Sequence, residues 1–339
     1  MNAGFFAIMP RMLINFNHYF QAPPLQKSLS QAEIQALLMH LGRGRKVTAI
    51  QAMSGGFRNQ NYRVTFENQS EAVLKVSQDL TSAKKASVLQ QQLSQFLPVP
   101  QVIGERATSG HVFTLMEYLP GELGCELPGD LSEPEYLALG DAIGTLLRKV
   151  HNVQFKQAGP LNEDLQVSDP HPNLGDAWLA YMREVMHGKR AESRLGSHHC
   201  KAVLQLLNRY EAELHALQPT TCLVHSDFNL KNILVQKKPT RWKISGLIDW
   251  EFAHVGSPLV DVGNFYRFEE ALPEALLTGF ARGYGLEEIP HWRPLSLILD
   301  LAALCNFLDA PEDLPLTQET AAYLIRRTLD RLSTAPEEA

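Results

Sequence analysis

The chain has 339 residues, 45% hydrophobic, 20% charged and 8% aromatic, with 31 Lys plus Arg against 37 Asp plus Glu and a formal net charge of −6. That length and composition suit a chain that buries its own core, and exclude disorder and fibrous repeats. The mildly acidic balance gives no electrostatic reason to expect nucleic acid as a partner, and no apolar run approaches the ~20 residues a membrane-spanning helix needs.

Cys125, Cys200, Cys222 and Cys305 lie far apart, without the close pairing of a zinc site or a redox dithiol, so a reducing, cytoplasmic setting is expected. Residues 1–27 read as an N-terminal extension: its apolar patches are broken by Pro10, Arg11, Asn15, Asn17 and His18, unlike a signal peptide. Residues 28–41 follow with Ser30 as an N-cap, Glu33 three positions on, and Ile34, Leu37, Leu38 and Leu41 at helical spacing, ended by Gly42.

The period then shortens. Residues 47–53, 61–66 and 72–76 are β-prone runs, separated by Gly55-Gly56 and by the polar stretch 67–71. Helical spacing returns over 82–96 and stops at Pro98 and Pro100, after which 101–104 and 111–118 read as two further strands. Beyond Pro120 and Gly121 the pattern predicts helices over 133–151, 176–187, 197–217, 273–284, 292–308 and 318–332, interrupted by strand-like runs at 232–236 and 243–248. The expected class is α+β: a five-stranded antiparallel N-terminal lobe over 28–118, a hinge, and a mainly helical C-terminal lobe over 119–339, with a cleft between them.

The chemistry concentrates in the run from Leu223 to Val235, which contains His225-Ser226-Asp227 and Asn232, and in Ile248-Asp249-Trp250-Glu251. An Asp, an Asn five positions later, a strand, a turn, a second strand and another Asp follow the order of catalytic elements in kinases. Transfer of a γ-phosphoryl group needs a carboxylate beside the attacking hydroxyl, which suits Asp227. It also needs oxygen ligands for Mg2+, which suit Asn232 and Asp249. A polar loop capping its own backbone explains Asp227 and Asn232 alone, but not the addition of Asp249 at a strand end. His225 reads as a group that holds the loop by hydrogen bonding rather than as a base.

Gly55 and Gly56, between two strands, suit a turn whose N–H groups cover nucleotide phosphates; a plain hairpin explains them equally. Lys75 shares a strand face with Val73, where its ammonium would meet phosphates across a cleft, although a surface lysine at a strand end has the same pattern. The backbone groups of Glu117 and Leu119, with Met116 alongside, stand where a hinge would read an adenine edge; an ordinary linker fits the same letters.

Together these residues resemble the aminoglycoside phosphotransferase and choline kinase-like family, small-molecule relatives of protein kinases, over about residues 47–308. The resemblance implies a two-lobed protein-kinase-like fold, ATP (GTP possible) and Mg2+ as cofactors, and a small-molecule hydroxyl acceptor. It also implies that Asp227 is the catalytic residue, that Asn232 and Asp249 are metal ligands, and that Lys75 with the Gly55-Gly56 turn binds phosphate. Asp261 matches an Asp that braces the catalytic loop. Two features depart from the family. Ser226 stands where the motif usually has Gly, and the helix after the Lys75 strand carries Lys84 and Lys85 where an acid normally pairs with that lysine. Gln90, Gln91 or Gln92 are the neutral substitutes, and an unpaired Lys75 would favour the alternative of a nucleotide-binding pseudokinase acting as a scaffold. A protein kinase is a further alternative, disfavoured by the absence of Asp-Phe-Gly after Asp249.

From Asp261 onward the chain has 6 Arg and no Lys against 14 acidic residues. Tyr266, Glu269 and Glu270 combine an aromatic ring with acids there, which suits a cationic, hydroxyl-bearing acceptor such as an amine or amino sugar; an acidic solvated helix end has the same composition. The oligomeric state is not legible.

Overall fold

The structure, a computed structural model, describes residues 31–334 apart from 43, 54–58, 109, 172–173, 218–219 and 239–240. The extension 1–27, the Ser30 cap and the Gly55-Gly56 turn therefore lie outside the described residues.

Helix α1 (Gln31–Leu41) leads into β1 (Val47–Met53), β2 (Gln60–Phe66) and β3 (Glu71–Ser77), then α2 (Leu80–Leu93), β4 (Val102–Thr108) and β5 (His111–Glu117). The five strands make one antiparallel sheet in the order β1-β2-β3-β5-β4, the class expected from the sequence. Alternation along β3 divides its side chains between two faces. Ala72, Leu74 and Val76 are buried with Ile34 and Leu38 of α1, which leaves Lys75 on the opposite face. Helix α2 starts where the Asp79 carboxylate caps the Ser82 N–H at 3.0 Å, and its Ala86, Leu89 and Leu93 join the large core of the helical lobe.

The remaining elements are β6 (Glu122–Leu123), α3 (Glu133–His151), β7 (Gly159–Pro160), α4 (Leu174–His187), α5 (Lys189–Leu195), α6 (Ser197–Arg209), α7 (Glu211–Ala216), β8 (Cys222–Val224), β9 (Ile233–Lys238), β10 (Arg241–Leu247), β11 (His254–Gly256), α8 (Leu259–Tyr266), α9 (Glu274–Tyr284), α10 (Trp292–Asp309) and α11 (Pro315–Thr334). The helix expected over 197–217 is two helices, because the chain leaves helical geometry at Tyr210, where φ is −102° and ψ is 15°. Helix α8 was not among the expected elements; it is only eight residues long and buried throughout, with its polar Asp261 and Asn264 bonded inside the fold. Among the described residues no helix is long and apolar enough to cross a membrane.

Two packing features set the site. The chain leaves β5 through Gly121, where φ is +134° and an added Cβ would stand 2.5 Å from the Val235 carbonyl oxygen. Only glycine lets the hinge pass this closely over β9. Helices α3 and α9 also approach to backbone contact: a methyl group at Gly144 would collide with the Phe280 carbonyl, and one at Gly283 with that of Asp141. The two helices end on His151 and Tyr284, whose Nδ1 and hydroxyl oxygen are 2.7 Å apart.

Candidate active site

The strand β8 delivers His225, Ser226 and Asp227 to a tight loop held by one buried carboxylate. Asp261, on α8 and fully buried, accepts the backbone N–H of His225 through Oδ2 and that of Ser226 through Oδ1, each at 2.7 Å. His151 Nε2 meets the same Oδ2 at 3.1 Å, so the brace runs Tyr284, His151, Asp261, loop. Burial opposes a charge on Asp261, but the His151 hydrogen bond and the neighbouring histidines outweigh it and hold the carboxyl below its ordinary value.

His225 Nδ1 accepts the Asp227 N–H at 3.3 Å, which assigns the ring proton to Nε2, where it donates to the Ile248 carbonyl at 3.0 Å. The imidazole packs on Trp250 with ring centroids 4.6 Å apart. Both of its nitrogens are thus committed to loop geometry. Ser226 has φ +67°, the left-handed region, which explains why the related motif favours glycine there. Asp249, at the end of β10, is also left-handed, at φ 74° and ψ 60°, a conformation Asp tolerates better than most residues.

Asp227 is fixed by two amides. Asn229 Nδ2 donates to Oδ1 at 2.7 Å and Asn232 Nδ2 to Oδ2 at 2.8 Å. Asn232 Nδ2 also donates to the Asp227 backbone carbonyl at 2.8 Å, so its amide nitrogen serves the loop and its oxygen is left for another partner. Lys231 Nζ lies 3.2 Å from Asp227 Oδ2.

From the N-terminal sheet, Lys75 leaves β3 and pairs with Asp249 Oδ1 at 2.5 Å and with Glu251 Oε2 at 3.0 Å. This answers what the sequence left open, whether Lys75 has an acidic partner. The acid comes from the segment after Asp249, not from α2. Asn59, beside the start of β2, donates to the same Glu251 oxygen at 2.8 Å. Lys85, which occupies the α2 position where the acid was sought, is buried and donates to the Ala253 carbonyl at 2.9 Å. Burial pushes the Lys85 ammonium below its ordinary value. Burial also opposes the charge on Lys75, but the attraction of Asp249 and Glu251 wins and raises it. Asp249 responds in kind: burial would raise its carboxyl, and Lys75 above all lowers it. Gln90 is buried on α2 and lines a small cavity with Lys75, Thr114 and Met116, but the charge pairing is made by the acids.

Glu117 ends β5, where its N–H donates to the Gln101 carbonyl at 2.8 Å, and the Leu119 side chain lies against Gly246 of β10. Gly55 and Gly56 lie outside the described residues. Tyr266 is buried, with its hydroxyl 3.4 Å from the Leu277 carbonyl. Glu269 is buried between Arg293, at 2.6 Å, and Arg331; Glu270 pairs with Arg327 at 3.1 Å and Arg331 at 2.7 Å. Those two acids thus form an arginine-bonded network with α10 and α11. Glu251, Asn59, His151, Tyr284 and Lys231 are site residues that the sequence reading did not single out. For Glu251 and Lys231 the signal was present, since each stands within four positions of a residue already chosen.

A model of the phosphotransferase enzyme family matches residues 49–298. Among curated proteins, the chain is 29% identical over 157 residues to "Acyl-CoA dehydrogenase family member 11" of Rattus norvegicus, covering 35% of this chain and 19% of that protein. The protein of the same name from Pongo abelii is 26% identical over 177 residues, covering 50% of this chain and 21% of that one. The chain thus spans about a fifth of these relatives' length. Among solved structures, a thermostable mutant of aminoglycoside phosphotransferase APH(4)-Ia, in a ternary complex with ADP and hygromycin B, aligns with a TM-score of 0.66 at 18% identity, covering 90% of this chain and 100% of that one. A GDP complex of an aminoglycoside 2'-phosphotransferase-IIIa mutant aligns with a TM-score of 0.72 at 14% identity, covering 90% and 99%. At these identities the likeness is one of fold, the two-lobed architecture of protein-kinase-like enzymes.

Proposed function

The chain belongs to the phosphotransferase enzyme family, and from that premise we propose that it moves the γ-phosphoryl group of ATP, with GTP as the alternative donor, to a hydroxyl of a small molecule. The observation that carries this reading is the pairing of these side chains: Asn232 donates to Asp227, and Lys75 of the N-terminal sheet donates to Asp249.

Asp227 accepts the proton of the acceptor hydroxyl as the oxygen attacks phosphorus. The bond from phosphorus to the bridging oxygen of the leaving diphosphate breaks, and the proton passes from Asp227 to solvent. The two asparagine amides hold the carboxylate in one rotamer, which supplies orientation rather than basicity. Lys75, restrained by Glu251, engages phosphate oxygens of the nucleotide, and the backbone of Glu117 and Leu119 reads its base. The turn of Gly55 and Gly56 is assigned to the phosphates as well.

The donor set suits Mg2+. The Asn232 side-chain oxygen and the Asp249 carboxylate are hard oxygen ligands of the kind Mg2+ takes. Magnesium takes one or two protein oxygens and fills its other positions with phosphate and water. Held by Asn232 and Asp249, it would supply charge neutralisation for the nucleotide phosphates.

An amine or amino sugar is the acceptor class we propose, on the strength of the structurally similar aminoglycoside phosphotransferase held with hygromycin B rather than of Glu269 and Glu270, which arginines already pair. A cytoplasmic setting is supported by four free, buried cysteines. The test is a coupled ADP-release screen over hydroxyl-bearing amines, amino sugars, sugars and amino acids, followed by Asp227→Asn. Turnover should fall by about a thousandfold with no change in melting temperature. Retained turnover removes Asp227 from the chemistry.

A further inference from the structure

Asp227 has a third partner that its two asparagines do not explain. Lys231, four positions on and inside the short helical turn Leu230–Asn232, brings Nζ to 3.2 Å from Asp227 Oδ2, with 27% of its side chain exposed. Its charge also acts on Asp249. One ammonium is therefore paired with the carboxylate that would receive the proton and acts electrostatically on the one that would hold the metal. Lys75, the other cation of the cleft, is already engaged by Asp249 and Glu251. As an ion pair on a partly exposed loop, the contact between Lys231 and Asp227 adds little to stability. Left in place it would hinder turnover, since the ammonium covers an oxygen that has to accept the acceptor's proton.

Resting on the kinase reading above, we propose that Lys231 is a second phosphate-binding cation, which leaves Asp227 when the nucleotide arrives and grips the γ-phosphoryl group. A terminal phosphate carries more charge than one carboxylate and offers more acceptor oxygens, so it draws the ammonium away. That transfer uncovers Asp227 Oδ2 for the hydroxyl. During the reaction the bond from phosphorus to the diphosphate oxygen breaks as the bond to the acceptor oxygen forms. Negative charge spreads over the three equatorial oxygens, and the Lys231 ammonium stabilises it without exchanging a proton. The base is thus exposed only when a donor is bound, which limits idle chemistry at an empty site.

The test compares nucleotides that differ by the γ group. Wild type, Lys231→Met and Lys231→Arg are titrated calorimetrically with the magnesium complexes of AMP-PNP and ADP, with melting temperatures measured in parallel. The wild type should bind AMP-PNP more tightly than ADP. Lys231→Met should weaken AMP-PNP by about tenfold and leave ADP within about twofold, while Lys231→Arg keeps most of the difference. Equal weakening of both nucleotides, no weakening of AMP-PNP, or a wild type that binds the two equally would overturn the role of Lys231 and leave the kinase reading standing. A wild type that binds neither would overturn the kinase reading and this proposal with it.

Discussion

Glu251 Oε2 lies 3.0 Å from Lys75 Nζ and accepts the Asn59 amide at 2.8 Å, so one carboxylate ties the sheet of the N-terminal lobe to the segment that carries Asp249. In the related kinases the partner of this lysine rides on the helix after its strand. Here that helix carries Lys85, which is bonded to the Ala253 carbonyl, and the acid sits two residues beyond Asp249. Sign and position have been exchanged across the cleft. The ammonium keeps its acid, while α2 is anchored to the same segment through a cation. A scaffold without turnover is correspondingly less attractive, because its main support was a Lys75 with no acid to hold it.

Replacing Glu251 tests that exchange. Glu251→Gln keeps an acceptor for Asn59 and removes one of the two charges that restrain Lys75 among the described residues, leaving Asp249 on the ammonium. A charge-assisted hydrogen bond contributes about 1.5–3 kcal/mol, part of which Asp249 recovers, so KM for the magnesium nucleotide should rise by about tenfold with a smaller change in kcat. Steady-state kinetics against nucleotide concentration checks this. An unchanged KM would mean that Asp249 alone positions Lys75.

The network around Glu269 and Glu270 gives a second prediction. Composition pointed to a cationic ligand there, but Arg293, Arg327 and Arg331 already supply the positive charge. Glu270→Gln should therefore leave acceptor KM unchanged for whichever hydroxyl compound supports turnover. It should lower stability by no more than about 1 kcal/mol, the range of partly exposed ion pairs. A rise in acceptor KM of tenfold or more would restore Glu270 to the acceptor site.

These cases show what was legible in the chain and what was not. Asp227, Asn232 and Asp249 could be chosen because their spacing along a loop and two short strands is itself the geometric requirement. The strands β1 to β5 could be read because alternation and turns are local signals. The pairing of Lys75 with Asp249 spans 174 positions, and no period or composition reports it. The same holds for Glu269, whose arginines arrive 24 and 62 positions later on α10 and α11. A charge tally counts such residues as solvated acids, when folding has already paired them. Lys85 misled for a related reason: its position on α2 was read by analogy, but burial and a carbonyl partner decide what a lysine does there.

Asp261 gives the third prediction, one of pH. Its carboxyl is held below the ordinary value of 3.8, with burial opposing and His151 prevailing, so the native state binds this proton less readily than the unfolded chain. The contribution is fully present above about pH 3.8 and is lost as pH falls through the lower native value, because the unfolded state then takes up a proton that the native state refuses. Asp261→Asn removes the charge and replaces one acceptor with an N–H that faces the backbone donors of His225 and Ser226. It should cost about 3 kcal/mol at neutral pH, the scale of a broken buried network, and flatten the fall of melting temperature between pH 5 and pH 2. Thermal melts of wild type and Asp261→Asn across that range check both parts. A variant with an unchanged acid slope would show that other carboxylates, Asp249 foremost, carry the acid sensitivity, and that Asp261 braces the loop through hydrogen bonding alone.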